Sequence, residues 1–254
     1  MVGREQYTKD VLAGKLLNMM TIIHENRDLS LFKYTPSLEH CMDMIINERV
    51  YLSSASRFND PFDSLPAHER IKHYGQEDKW LVAYKNVALH QKALELQKTT
   101  KVACFSEKID SSIMWSHYAD SHQGFCLEYK ISDIIHEKTN ILLPVLYSKE
   151  RILDGECELE EYREFMNRIR SVIYKEEDWN YEKEWRYIIK DNDEQKERYI
   201  SNVKPRALYI GLKNDSIRAN ILVELAGYCK ENGVCLYQMV SNSDAYKMEP
   251  IKIV

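Results

Sequence analysis

"WNYEKEWRYIIK", residues 179–190, alternates charged with apolar side chains and reads as a strand over 183–190. Side chains on a strand point to opposite faces in turn. Glu182, Glu184, Arg186 and Ile188 therefore share one face, and Trp185, Tyr187 and Ile189 the other. The second face has the composition of a core. The first carries three charges in succession, so either it is wet or something cationic belongs against it.

Working outward, the chain gives a series of short elements. Residues 8–25 place Val11, Leu12, Leu16, Met19, Met20 and Ile23 near helical spacing. "LFKY" at 31–34 is a short strand, followed by a helix that Thr35 or Ser37 caps, with Pro36 near its first turn. "RVYLSS" is a second strand, and "RFNDPFDS" has the turn chemistry of Asn-Asp-Pro. Residues 67–99 read as polar helix, broken near Gly75. Strands at 101–106 and 124–131 flank a serine-capped helix at 111–119. "ILLPVLYS" is a strand whose internal Pro144 suggests an edge or a bulge. A helix over 157–177, strands over 183–190 and 206–211, and a helix over 215–231 with Gly233 just beyond lead to two closing strands.

Strands and helices are interspersed without a regular βαβ rhythm, and no linker or repeat divides them. The expected fold class is α+β: a single domain over 1–254, with 1–30 a helical extension and 67–99 a helical insertion. With 44% hydrophobic and 30% charged residues the composition is globular. A net charge of −5 argues against bulk attraction to nucleic acid or anionic membrane. Charges run through the place where the apolar part of a secretion signal would lie, and no apolar run approaches a bilayer span. The six cysteines are scattered without a CxxC pair. Buried free thiols in a cytoplasmic protein are the expectation, and no metal is expected.

Four segments are denser in polar and aromatic residues than a core needs: "LFKYT", "SRFNDPFDS", "CFSEKIDSSIMWSHYADSHQGFCLEY" and "YEKEWRY". In the second, Asn59 and Asp60 can bond the backbone ahead of Pro61 while Phe58 and Phe62 anchor the loop; alternatively Asn59 and Asp63 line a pocket. In the third, His117 and His122 are five apart and do not stack on one helical face, whereas Trp115 and Tyr118 can pack as a stripe. Nucleophile elbows, P-loops and dinucleotide glycine motifs are absent.

"LFKYTPSLEHCMDMIINERVYLSSASRFNDPFDS", "ACFSEKIDSSIMWSHYADSHQGFCLEYK" and "WNYEKEWRYII" together resemble a bacterial family catalogued as domain of unknown function family 2971. More distantly, "LFKYT", "VACFSEKIDSSIMWSHYA" and "YEKEWRY" resemble, in order, the three blocks of ADP-ribosyltransferases. That likeness implies a mixed or antiparallel split sheet flanked by helices, NAD as co-substrate and an intracellular macromolecule as acceptor, with a toxin or phage-defence setting by analogy. It implies Glu184 as the catalytic acid, with Glu182 upstream to steer or deprotonate the acceptor. Lys33 stands where the family has His or Arg, with Tyr34 beside it. Cys104 stands where many members carry a nicotinamide-stacking Tyr, a stack that Phe105, Trp115 or Tyr118 would have to supply; Ser106 matches the serine content of the block. A carboxylate about 4 Å from a developing ribosyl cation contributes up to about 4 kcal/mol.

Against that reading stand a surface ion pair of Glu184 with Arg186, a non-catalytic binding protein of the same fold, and a metal-dependent hydrolase or nuclease centred on His117, Asp120 and His122. Convergence of Lys33, Ser106 and Glu184 on one cleft is the geometric condition for the first.

Overall fold

The computed structural model describes residues 23–64, 79–135, 141–149, 160–190, 198–214 and 219–254. Strand β1 (Ser30–Thr35) leads to helix α1 (Leu38–Ile46), capped by Ser37, whose side chain accepts from His40 N. Strand β2 (Arg49–Ser54) alternates by burial, with Val50, Leu52 and Ser54 inward. A short 3₁₀ turn, Ala55–Arg57, opens the loop that ends at Ser64. Helix α2 (Lys79–Thr99) precedes β3 (Thr100–Ser106), and α3 (Ser112–Tyr118) starts at the cap Ser111. Then follow β4 (Phe125–Lys130), the single turn α4 (Ile131–Ile134), β5 (Ile141–Pro144) and β6 (Leu146–Ser148). Helix α5 (Glu160–Ile173), β7 (Tyr174–Glu176) and a 3₁₀ turn, Glu177–Glu182, lead into β8 (Glu184–Lys190). The chain closes with β9 (Arg198–Ser201), β10 (Ala207–Ile210), α6 (Ala219–Glu231), β11 (Cys235–Ser241) and β12 (Met248–Lys252).

The fold is α+β, built on a mixed and largely antiparallel sheet. Its path runs β12-β11-β10-β4-β1-β3-β2-β9, with β8 and then β5 branching from β3. Within it β10 and β11 pair in parallel, as do β6 and β7 in a separate ladder. Strand β3 is the branch point. One edge pairs with β8 from Thr100↔Lys190 to Ser106↔Glu184. The other is divided: β2 takes Lys101 and Val102, while β1 meets it at Ser106. Between them the sheet splits. Buried backbone groups need partners, and in this gap the Cys104 carbonyl accepts from Lys33 Nζ at 3.2 Å.

The larger core cluster contains Leu31, Phe105, Leu127, Tyr129, Ile169 and Trp185. A second cluster packs Phe32, Trp115, Tyr209 and Met239. Among the described residues no helix is long and apolar enough to cross a membrane.

Several boundaries differ from the sequence expectation. The strand read through Pro144 is two strands, because Val145 leaves the first ladder and donates to the Glu184 carbonyl at 2.9 Å. The helix expected over 157–177 stops at Ile173, since Tyr174–Glu176 pair beside β6. Glu182 does not lie on the strand: Lys183 turns left-handed (φ 47°), so the ladder begins at Glu184. Phe62, expected to anchor its loop, is 68% exposed. Most of the N-terminal helix and the break near Gly75 lie outside the described residues.

Candidate functional site

The charged face of β8 is dry. Arg186 is 0% exposed and Glu184 4%, so the wet alternative fails and the cations that belong there come from the chain itself. A buried guanidinium must have its N–H groups bonded. Arg186 forks twice: Nε and Nη2 reach Glu184 Oε1 and Oε2 at 2.8 and 2.9 Å, and Nη1 and Nη2 reach Asp63 Oδ1 and Oδ2 at 2.8 and 2.7 Å. Nη1 also donates to the Val172 carbonyl at 2.6 Å and to Ser64 Oγ at 3.1 Å. Its charged end lies 4.8 Å from the Phe58 ring centroid. The loop before α2, helix α5 and strand β8 thus meet on one side chain.

Lys175, from β7, sits among three carboxylates. Its Nζ lies 2.6 Å from Glu182 Oε2, 3.4 Å from Glu184 Oε2 and 3.4 Å from Asp63 Oδ2. Tyr118, the last residue of α3, donates to Glu182 Oε1 at 2.6 Å. Three acids face two bases in this cluster, and their arrangement separates the two glutamates. Burial works to raise the pKa of Glu184, but Arg186 and then Lys175 outweigh it and hold the group well below the ordinary carboxylate range. Burial and then the charge of Glu184 push Glu182 upward, with Lys175 and Tyr118 only partly offsetting them. Lys175 is raised: burial opposes its charge, and the carboxylates, Glu184 first, prevail. Burial lowers Lys33 and raises Tyr118 and Cys104.

Above this floor a cleft opens at the split in the sheet. Lys33 and Tyr34 reach it from β1, Asn59 from the loop, and Phe105 and Ser106 from the end of β3. Tyr118, Glu182 and Glu184 line it as well, as do Phe58, Asp63, Cys104, Lys175 and Arg186. Lys33, Ser106 and Glu184 therefore meet in one place. The Ser106 hydroxyl donates to the Glu182 carbonyl and accepts from Lys108 N, so it braces the floor.

Trp115 is not part of the cleft. It is 0% exposed, its Nε1 donates to the Ile109 carbonyl at 2.7 Å, and its ring meets Tyr34 edge-on at 5.2 Å. The stripe expected from Trp115 and Tyr118 is divided: the tryptophan enters the second core cluster and the tyrosine faces the cleft.

Lys175 carried no signal in sequence, since "VIYKEED" is ordinary surface composition. Asp63 was legible only as one end of an open alternative. His117 is exposed and shares a 3.2 Å hydrogen bond with Tyr181. Among the described residues no group of three His, Cys, Asp or Glu is placed to hold a metal ion, so His117, Asp120 and His122 form no ligand set. Cys41, Cys104, Cys126, Cys229 and Cys235 are free thiols, of which Cys104 and Cys235 are only half-buried.

No curated protein and no solved structure matches this chain. Residues 114–187, which carry Tyr118, Lys175, Glu182, Glu184 and Arg186, match the family described as "Protein of unknown function (DUF2971)".

Proposed function

We propose that the cleft binds NAD and that the protein transfers ADP-ribose from it to a macromolecular acceptor. The observation that carries this reading is the pair of glutamates at the floor, whose surroundings push their pKa values apart. Such divergence assigns different roles to two neighbouring acids. Glu184 stays ionised at every physiological pH and takes no proton. Its role is to oppose positive charge developing on the ribose as the nicotinamide bond breaks. Glu182 holds a proton more readily and is the acid–base member. The lining suits the substrate in kind: Lys33 provides a cation for a phosphate, whose charge would in turn favour its protonated form, and Tyr34, Phe58 and Phe105 provide ring faces.

The test is incubation with labelled NAD and cell extract, comparing wild type with Glu184→Gln. Label transfer in the wild type, lower by about a hundredfold or more in the variant, is the expected result. Nicotinamide release without transfer would make the protein an NAD hydrolase. No release, no transfer and no thermal shift with millimolar NAD would refute the proposal.

A binding protein without catalysis is the second reading. It is favoured by the Arg186 fork, which engages both oxygens of Glu184 and reduces the field a ribosyl cation would feel. A thermal shift with NAD, together with no nicotinamide release, identifies it.

A further inference from the structure

Glu182 is only 2% exposed, and both its oxygens are engaged, Oε1 by Tyr118 and Oε2 by Lys175. Glu182 itself lines the cleft, and at each of its oxygens a proton arriving from the cleft meets one of these two groups. Lys175 offers no passage: its three protons face Glu182, Glu184 and Asp63, and an ammonium has no lone pair with which to accept. Tyr118 does. Its one proton points at Glu182, so the lone pairs of its oxygen remain to accept, and the residue lines the cleft. Among the described residues no donor reaches that oxygen. The other cleft hydroxyls differ in where their proton goes: Ser106 donates to the Glu182 carbonyl and Tyr34 to the Lys108 carbonyl, and a backbone carbonyl does not take up a proton as a carboxylate does.

We propose that Tyr118 is a catalytic residue that accepts the proton of the attacking acceptor while passing its own to Glu182. This rests on the ADP-ribosyl transfer reading and adds to it the route of the proton. In the simplest case water is the acceptor. The bond between ribose and nicotinamide breaks, and its electron pair leaves with neutral nicotinamide. A lone pair of the water oxygen forms the new bond to the anomeric carbon. One water proton moves to Tyr118 Oη, and the Tyr118 proton moves to Glu182 Oε1, from which solvent later removes it. The site therefore takes acceptors that bear a transferable proton, a hydroxyl or an amine.

The acid–base behaviour of Glu182 is set by its burial, by the charge of Glu184, by Lys175 and Tyr118 in contact, by Asp63 and Arg186 beyond them, and by Tyr181 from its own turn. A relay through Tyr118 requires Glu182 to be ionised, so kcat for NAD hydrolysis should rise with pH as Glu182 loses its proton. The experiment measures nicotinamide release from NAD by the full chain, as a function of pH, for wild type, Tyr118→Phe, Glu182→Gln and the double variant. Tyr118→Phe should lower kcat at least tenfold, leave KM for NAD within twofold and abolish that pH limb. Glu182→Gln should do the same, and the double variant should be no slower than either single one, as groups acting as a unit require. If Tyr118→Phe fails to fold, loss of the limb in Glu182→Gln must still appear. A Tyr118→Phe enzyme within twofold of wild type, an unchanged pH limb, or effects that multiply in the double variant would overturn the relay while leaving the transferase reading intact. A wild type that neither binds NAD by calorimetry nor releases nicotinamide overturns both.

Discussion

Arg186 shows how strongly one side chain can depend on its surroundings. Desolvating a guanidinium and two carboxylates costs several kcal/mol per ion, and fork geometry with full hydrogen bonding is what recovers it. Removing the cation would leave Asp63 and Glu184 buried without their strongest partner. Arg186→Met is therefore expected to destabilise the fold by about 3–5 kcal/mol in urea denaturation. Arg186→Lys should recover little of this, because a point charge cannot fork to two carboxylates. The two glutamates also set opposite pH slopes. Glu184 has a depressed pKa, so it contributes stability above the unfolded carboxylate value of about 4.3, and loses it as pH falls toward the folded value. Glu182 has a raised pKa, so the folded state binds its proton more tightly and stability falls as pH rises from about 4.3 through the folded value. Thermal melts from pH 4 to 8 should show this second slope in the wild type and lose it in Glu182→Gln.

At the scale of elements, the turn from α3 to β4 holds the end of the Tyr118 helix. Asp120, Ser121 and His122 are left-handed in succession (φ 44°, 55° and 73°), a conformation that costs an L-residue about 1–2 kcal/mol. Hydrogen bonds from His122 N to the Trp115 carbonyl (3.2 Å), Gly124 N to Ala119 (2.8 Å), Gly211 N to Gly124 (2.9 Å) and Lys213 N to His122 (2.9 Å) sustain it. Gly211 makes the last two contacts feasible, because a Cβ there would run into the His122 carbonyl. Gly211→Ala is expected to cost about 1–3 kcal/mol and to lower Tm, the ordinary price of overfilling a close contact. Helix α3 and strand β4 were legible from the serine cap and the apolar run "GFCLEY", whereas the three left-handed residues were not. Their composition is that of any polar loop, and the contacts with Gly211 and Lys213, just after β10, help select the conformation.

Across the whole molecule, the charge cluster joins segments far apart in the chain. Asp63 lies 123 residues before Arg186 and holds its loop onto β8. Asp63→Asn should therefore speed amide hydrogen exchange in residues 55–64 while leaving β10–β12 unchanged, a pattern that exchange mass spectrometry reads directly. The apolar periods, the caps Ser37 and Ser111 and the left-handed Gly233 after α6 are local features, and local physics placed those elements from sequence. The same period showed that Glu184 and Arg186 share a face. Whether that face was wet or buried lay beyond it, as did the departure of Glu182 from the strand, the inward turn of Trp115 and the arrival of Lys175. What the sequence determined by itself was the order and facing of elements, because backbone periodicity and capping act over a few residues. What only the tertiary structure decided was the charge state and company of the cleft, because the energy of a buried ion depends on distances to partners that sequence separation does not encode.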